Sequence, residues 1–398
     1  MKPLRVLVTG ARTYYSLAAI RQLGRLGHRI TAADWDSHST GFYSRYTKAR
    51  WVYPRIDPGG ARWVDALQDY LRREPHDVVL PMYEEALLLS KHAAAVSRLA
   101  YVPVGSYAAM LQLHDKQRLY ELARGLGVPI PPTRLVDSTL PGDLRFPIVV
   151  KVGQSSSARG VTIVRERAAF PAAWHRLRAS HALPPGVPAI VQDFVDGHQL
   201  CTLSFAWRGE PKGTVVYRNV CEFPPDGGAG IVRASIRHPA IVEAVARLIR
   251  ANGSHGIVGF DFMVDRAGQP WLTDANPRPT PGLFLAQRCG LDLIDMAIGR
   301  QEPIAPCLIR TGLRTRIDPL VALWMLRSVF PGRDYWQRLA TTFSLLVPRS
   351  SSASDFFCTD DLASLRALPA AAFAAVVARW RGARSLLDTV AASQYRDY

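Results

Sequence analysis

Apolar and polar positions over the first hundred residues alternate between short apolar runs and longer amphipathic ones. The run "RVLVTGA" reads as a strand closed by Gly10, "SLAAIRQLGRLG" has helical periodicity ending in a glycine stop, and "HRITAADWDS" reads as a second strand. Further alternation follows in "WVYPRI", "ARWVDALQDYLRRE", "DVVLPMY", "EEALLLSKHAAAVSRL" and "YVPVG". Strands that take turns with helices predict a parallel, doubly wound α/β domain over residues 1–112.

The rhythm then changes. A helix over "HDKQRLYELARGLG" stops at Gly127 and the prolines of "VPIPPT"; the strands "FPIVVKV" and "GVTIVRE" flank the polar loop "GQSSSAR". A helix carrying Trp174 and the strand "AIVQDFV" follow. Next come the strands "LCTLSFAW" and "GTVVYRNV", a long loop over "CEFPPDGGAGIV", and the helix "PAIVEAVARLIRANG". The strands "GIVGFDFMV" and "QPWLTDAN" close the series. Short-looped strands with helices between them predict an α+β body of two lobes, 113–190 and 191–300. Residues 301–398 are helical in pattern, arginine-rich, and carry Trp324, Trp336 and Trp380.

Composition narrows the functional classes. The chain has 398 residues, 48% of them hydrophobic, too many for one compact core and ordinary for a globular protein. Its formal charge of +16 comes from arginines scattered along the chain, with no basic block and no nucleic-acid motif, so no nucleic-acid partner is expected. Cys201, Cys221, Cys289, Cys307 and Cys358 show no metal-ligand spacing and read as reduced thiols. No apolar run reaches the 18 or so residues of a membrane span, and "MKPLRVLVTG" lacks a signal-peptide core, so the expected location is cytoplasmic.

The densest chemistry lies at "FDFMVDRAGQPWLTDANPRP". A regular antiparallel hairpin with Val264 opposite Trp271 puts Met263 opposite Leu272 and Asp261 opposite Asp274, with Asn276 on the face of Asp274. Opposed carboxylates repel and call for a counter-charge. Two carboxylates and an amide oxygen form a hard oxygen set suited to Mg²⁺ or Mn²⁺, which takes further ligands from water and phosphate. Arg278 follows as a fixed cation between prolines. Acids that merely face solvent are the plainer reading of the same hairpin. Lys151 ends a strand and precedes a Gly/Ser loop whose N–H groups and hydroxyls suit phosphates, although the Walker A order is absent. A surface lysine before a loop is the plainer reading there.

Gly10 after the first strand and Asp34 after the second invite a dinucleotide-binding oxidoreductase, but "GARTYYS" lacks the later glycines of that fingerprint. Glu84 and Glu85 in "PMYEEA" read either as a substrate edge or as a helix cap.

In their order these segments resemble the ATP-grasp superfamily, in particular its carbamoyl phosphate synthetase large-subunit-like branch, over about residues 1–300. "HDKQRLYELARGLGVPIPPT" looks like the entry segment, "FPIVVKVGQSSSARGV" like the phosphate lysine and its loop, "VQDFVDG" like the adenine hinge, and "FDFMVDRAGQPWLTDANPRP" like the metal hairpin. The resemblance implies ATP phosphates held by Lys116, Lys151, Ser155, Ser156, Ser157 and Gly160. It implies an adenine side formed by Gln192, Asp193, Phe194 and Val195 with Gln199 beyond, and Mg²⁺ held by Asp261, Asp274 and Asn276. Arg278 would act on the transferred phosphoryl group, and Arg233, with Arg237, on the acid. Asp274 stands where the family has a longer Glu, and Gln199 where a ribose-binding Glu is common.

The implied reaction is activation of a carboxylate as an acyl phosphate and its transfer to an amine or other nucleophile, with a nucleotide-binding scaffold as the rival. Residues 301–398 read as a lid, with contact to an anionic membrane or an apolar substrate as the alternative. A homodimer stays open.

Overall fold

The computed structural model describes residues 2–57, 59–137, 139–153, 160–179, 187–223, 229–299, 309–317 and 351–368. The N-terminal part runs β1 (Arg5–Val8), α1 (Tyr14–Arg25), β2 (Arg29–Asp34), β3 (Thr47–Val52), α2 (Ala61–Arg73), β4 (Val78–Leu80), α3 (Glu85–Lys91) and α4 (Ala93–Val96). Its sheet is parallel in the order β3-β2-β1-β4. Successive strand residues point to opposite faces, and both faces are buried. Val6, Val8, Ile30 and Ala32 pack with Tyr15, Ala19 and Leu23 of α1. Leu7, Ala33 and Val79 pack with Trp63, Leu67 and Leu71 of α2. The expected doubly wound sheet is therefore present. The expected strand at "YVPVG" shrinks to a bridge between Tyr101 and Val78, and the helix after Glu84 breaks at His92.

Two helices, α5 (Tyr107–His114) and α6 (Lys116–Gly125), lead into a four-stranded antiparallel sheet. It comprises β5 (Thr133–Val136), β6 (Ile148–Lys151), β7 (Val161–Val164) and, after α7 (Phe170–Ala179), β8 (Ala189–Asp193), in the order β5-β8-β6-β7. Phe170, Ala173 and Leu177 of α7 cover one face of it.

The largest sheet has seven strands in the order β13-β12-β9-β10-β11-β14-β15. It is built from β9 (Gly197–Trp207), β10 (Glu210–Phe223), β11 (Ala229–Ile236), β12 (Gly256–Asp265), β13 (Pro270–Asn276), β14 (Arg314–Arg316) and β15 (Ser352–Ser354). Helix α8 (Pro239–Asn252) buries Ile241, Val245, Leu248 and Ile249 against Leu200, Val216, Phe260 and Phe262 on one face. Helices α9 (Leu283–Arg288) and α10 (Leu293–Ile298) pack against Cys201, Leu203, Phe205 and Tyr217 on the other. The first half of β11, residues 229–232, lies in the stretch read from sequence as a loop.

Residues 301–398 were expected to be helical. The described part is mixed: β14 and β15 extend the large sheet, and a 3-10 helix, Thr359–Arg366, docks on the N-terminal part. There Asp361, fully buried, accepts from Arg21 Nε at 2.8 Å, Ser44 Oγ at 2.9 Å and the Arg45 amide at 2.7 Å. Trp324, Trp336, Trp380 and Cys307 lie outside the described residues.

Candidate active site

Strands β12 and β13 form the expected hairpin, and Asp261 stands opposite Asp274. Farther toward the turn the register differs from the regular ladder expected: Val264 faces Pro270 and Met263 faces Trp271. The cause is a bulge. Phe262 pairs with Leu272 and Asp261 with Asp274, which leaves Thr273 out of the ladder. Because of it, Leu272 and Ala275 both reach the apolar side with Phe260 and Phe262, and the two aspartates stay on the opposite face.

The bulge also presents the Thr273 carbonyl to the neighbouring lobe. Tyr120 Oη donates to it at 2.7 Å and Lys151 Nζ at 3.2 Å. Lys151 ends β6, so β6, α6 and the hairpin meet at one oxygen. Lys116, at the first turn of α6, places Nζ 3.2 Å from Asp274 Oδ1 and is 1% exposed. Its backbone amide donates to Gly153 O at 3.0 Å, tying α6 to the loop after Lys151. Asp115 caps this helix, its carboxylate accepting from the Gln117 and Arg118 amides. Tyr120 is one turn from Lys116 on the same helix face, a spacing visible in the sequence but not used there.

The electrostatics of this cluster are unbalanced. Burial, reinforced by the facing Asp274, pushes the Asp261 carboxyl up to about 6. Burial lowers Lys151 to about 8; Lys116 adds to the fall while Asp274 and Asp261 oppose it. Asn276 Nδ2 lies 3.5 Å from Asp261 Oδ2. Two facing carboxylates and the side-chain oxygen of an adjacent amide form a hard oxygen donor set of the kind a divalent cation takes.

Arg278 is not a free cation beside the hairpin. Its Nη2 lies 2.7 Å and its Nε 2.9 Å from Glu84 Oε1, at the C-terminal edge of the N-terminal sheet, and its guanidinium sits 4.7 Å above the Tyr83 ring. Burial disfavours the charged form of Glu84, but Arg278 and His114 outweigh it and hold the carboxyl below its usual range. Glu84 stands at the N-cap position of α3 and Glu85 in its first turn, as the helix-cap reading has it, although the Glu84 side chain caps no amide of the helix.

Glu85 turns under Gly10 instead. Its Oε1 accepts from Thr9 Oγ1 at 2.8 Å, and a Cβ on Gly10 would come within 2.6 Å of that oxygen. Asp34, fully buried, takes Arg12 Nη1 at 2.9 Å and the Arg12 amide at 2.8 Å. Both features that invited a dinucleotide are thus engaged inside the protein.

The remaining expected residues divide. Gln192 is buried in β8 and donates to Thr133 Oγ1 at 2.9 Å. Asp193 ends that strand, Phe194 and Val195 cross to β9, and a Cβ at Gly197 would overlap the Val264 carbonyl. Gln199, in β9, faces Met263. Gly160, at φ +71°, accepts from the Val152 amide at 3.0 Å, closing the base of the loop after Lys151. Ser155, Ser156 and Ser157 lie outside the described residues. Arg233 shares the sheet face of Asp261 but stands three strands away, and Arg237 is exposed.

No family model matches the chain. Among curated proteins it is similar to a D-alanine–D-alanine ligase of Gloeobacter violaceus, 26% identical over 170 residues, covering 38% of this chain and 55% of the relative. It is also similar to a formate-dependent phosphoribosylglycinamide formyltransferase of Cupriavidus metallidurans, 27% identical over 236 residues, 54% of this chain and 57% of the relative. The chain thus spans little more than half the length of these two relatives. Among solved structures, biotin carboxylase from Campylobacter jejuni in complex with β,γ-ATP superposes with a TM-score of 0.64 at 15% identity, covering 78% of this chain and 74% of that one. These relatives and structural neighbours are ATP-grasp enzymes, and it is to them that the chain is similar. Lys116, Lys151 and the β12–β13 hairpin lie together where the four-stranded and the seven-stranded sheets approach each other.

Proposed function

We propose that this ATP-grasp chain is an ADP-forming ligase that activates a carboxylate with ATP and joins it to an amine. The observation that carries this reading is the meeting of Lys116, Lys151, Asp261 and Asp274 where β6, α6 and the hairpin converge. Mg²⁺ or Mn²⁺ would be held by Asp261, Asp274 and Asn276; when bound, such an ion offsets phosphate charge and orients the transferred group.

The chain's own residues supply the rest. Lys151 and Lys116 present ammonium groups from two lobes, so phosphate oxygens replace carboxylate and carbonyl as their partners. Gln192 and residues 193–195 form the adenine side, Gln199 the ribose side, and the loop closed by Gly160 covers the phosphates and excludes water. Asn276 and Arg278 leave the hairpin toward Glu84, and the acid and the amine would bind between the hairpin and the C-terminal edge of the N-terminal sheet, the edge where open α/β sheets bind ligands. Arg278 stabilises the phosphoryl group in flight and Glu84 holds the amine. The domain limits 1–112, 113–190, 191–300 and 301–398 belong to the same reading, as does a cytoplasmic enzyme acting on small molecules.

The test is ADP release from MgATP over pools of acids and amines, with the products read by mass spectrometry. Acid-dependent ADP release that Asp274→Asn abolishes supports the ligase. Nucleotide binding without ADP release over every pool leaves a scaffold and overturns it.

A further inference from the structure

Arg233 is 1% exposed in β11, and its ion pair engages only one corner of the guanidinium. Nη1 donates to Asp355 Oδ2 at 2.6 Å and to Thr315 Oγ1 at 3.3 Å. Nε and Nη2 are buried and have no hydrogen-bond partner among the described residues. These two nitrogens form the side edge of the guanidinium, whose parallel N–H bonds match the two oxygens of a carboxylate or phosphate. Leaving such donors buried and unpaired is costly, the more so for a charged group, so an edge of this kind calls for an acceptor.

Its place in the sheet says which acceptor. Asp274 faces Asp261, Asp261 faces Cys201, Cys201 faces Tyr217, and Tyr217 faces Ser235, a single row across five strands on one sheet face. Arg233 is two residues before Ser235, so it projects from that same face. Three strand spacings separate β11 from β12, about 14 Å at about 4.8 Å each. At that distance Arg233 cannot grip the carboxylate attacked at the hairpin. We propose that the Nε/Nη2 edge of Arg233 anchors a second anionic group, a carboxylate or phosphate, at the far end of an elongated acid substrate. Asp355, brought in just after β15, holds the guanidinium by Nη1 and leaves the Nε/Nη2 edge to the ligand. The identity of the substrate class rests on the ligase reading; the anion site itself does not.

The test is therefore one of binding. The full chain, saturated with MgADP, is titrated with linear dicarboxylates from glutarate to sebacate and with the matched monocarboxylates. Affinity is read by calorimetry, and the Arg233 Nε–H resonance, assigned by its loss in Arg233→Lys, is followed by NMR. At least one diacid is expected to bind about tenfold tighter than its monoacid, about 1.4 kcal/mol, and to shift that resonance. Arg233→Ala/Asp355→Ala, which removes both charges together so that neither is left buried alone, is expected to bind the two equally. The anchor is overturned if no diacid exceeds its monoacid, if the preference survives the double variant, or if the resonance does not respond. A diacid preference without ADP release from any acid would sink the ligase reading and leave the anion site standing.

Discussion

Arg278 Nη2 and Glu84 Oε1 lie 2.7 Å apart, joining the exit of the β12–β13 hairpin to the edge of the N-terminal sheet across 194 residues of sequence. The arginine is 7% exposed, so each charge depends on the other. Glu84→Gln removes the carboxylate and leaves a buried guanidinium, which is expected to lower stability by about 3–5 kcal/mol. Arg278→Met/Glu84→Gln removes both charges and should recover most of that loss without recovering ligase activity. Urea denaturation of the three proteins checks the first statement, and ADP release checks the second. A double variant no more stable than Glu84→Gln would show that the pair is not the reason.

Lys151 gives a pH dependence of definite sign. Its folded value, about 8, is below the ordinary lysine value of 10.5, so the folded state disfavours the charged form. The stability it confers is complete above pH 10.5 and is lost as pH falls through 8. At neutral pH, then, a charged Lys151 weakens the nucleotide-free protein by about 3 kcal/mol. Lys151→Met is expected to stabilise that protein near pH 7 while abolishing ATP binding. The gain should shrink between pH 8 and pH 10.5 and vanish above. Melting curves across that range test it; a Lys151→Met protein less stable than wild type at pH 7 would refute it.

Much of this site was legible before the structure because it depends on period-two alternation. Asp261, Asp274 and Asn276 were placed on one face from strand periodicity alone, and the opposition of Asp261 and Asp274 holds. What alternation cannot reveal is an inserted residue. The ladder was read as regular, and the bulge at Thr273 changed the partners of Met263 and Val264 while leaving the aspartates opposed. Glu84 was noticed but not its partner, since an ion pair spanning 194 residues leaves no local pattern. The described part of the C-terminal stretch holds two strands that its pattern did not announce. Helical periodicity there says nothing about short strands such as Arg314–Arg316, whose pairing with β11 is set by the sheet edge rather than by the strand's own sequence.

The Thr273 carbonyl makes a separate prediction. Tyr120→Phe removes the 2.7 Å hydrogen bond to the part-buried Thr273 carbonyl and the longer 3.4 Å ones to Gln192 Oε1 and from Lys151 Nζ, and leaves Lys151 on that carbonyl. A stability loss of about 1 kcal/mol is expected. The larger effect should fall on nucleotide affinity, because a lysine held more tightly by Thr273 O is less available to phosphate. Calorimetric titration with MgADP is the measurement, and an affinity equal to wild type would show that Thr273 does not compete for Lys151.

Asp361 makes the last prediction, about the role of the C-terminal segment. It is fully buried and gathers Arg21, Ser44 and the Arg45 amide, while its neighbour Asp360 takes Arg25 Nε at 2.8 Å and Tyr46 Oη at 2.7 Å. These two acids fasten the 3-10 helix Thr359–Arg366 to α1 and to the residues before β3. The Arg25–Asp360 pair is more than a third exposed on both sides, and solvent screening leaves it worth under about 1 kcal/mol. The Arg21–Asp361 pair is almost wholly buried, so Asp361→Asn should leave the Arg21 charge uncompensated and cost about 3–5 kcal/mol. Asp360→Asn is the control on the same helix. Hydrogen exchange should show α1 amides losing protection in Asp361→Asn and keeping it in Asp360→Asn. Equal effects of the two substitutions would mean that the helix is held by its surface charges, and the segment would then be a loose appendage rather than a clasp on the N-terminal sheet.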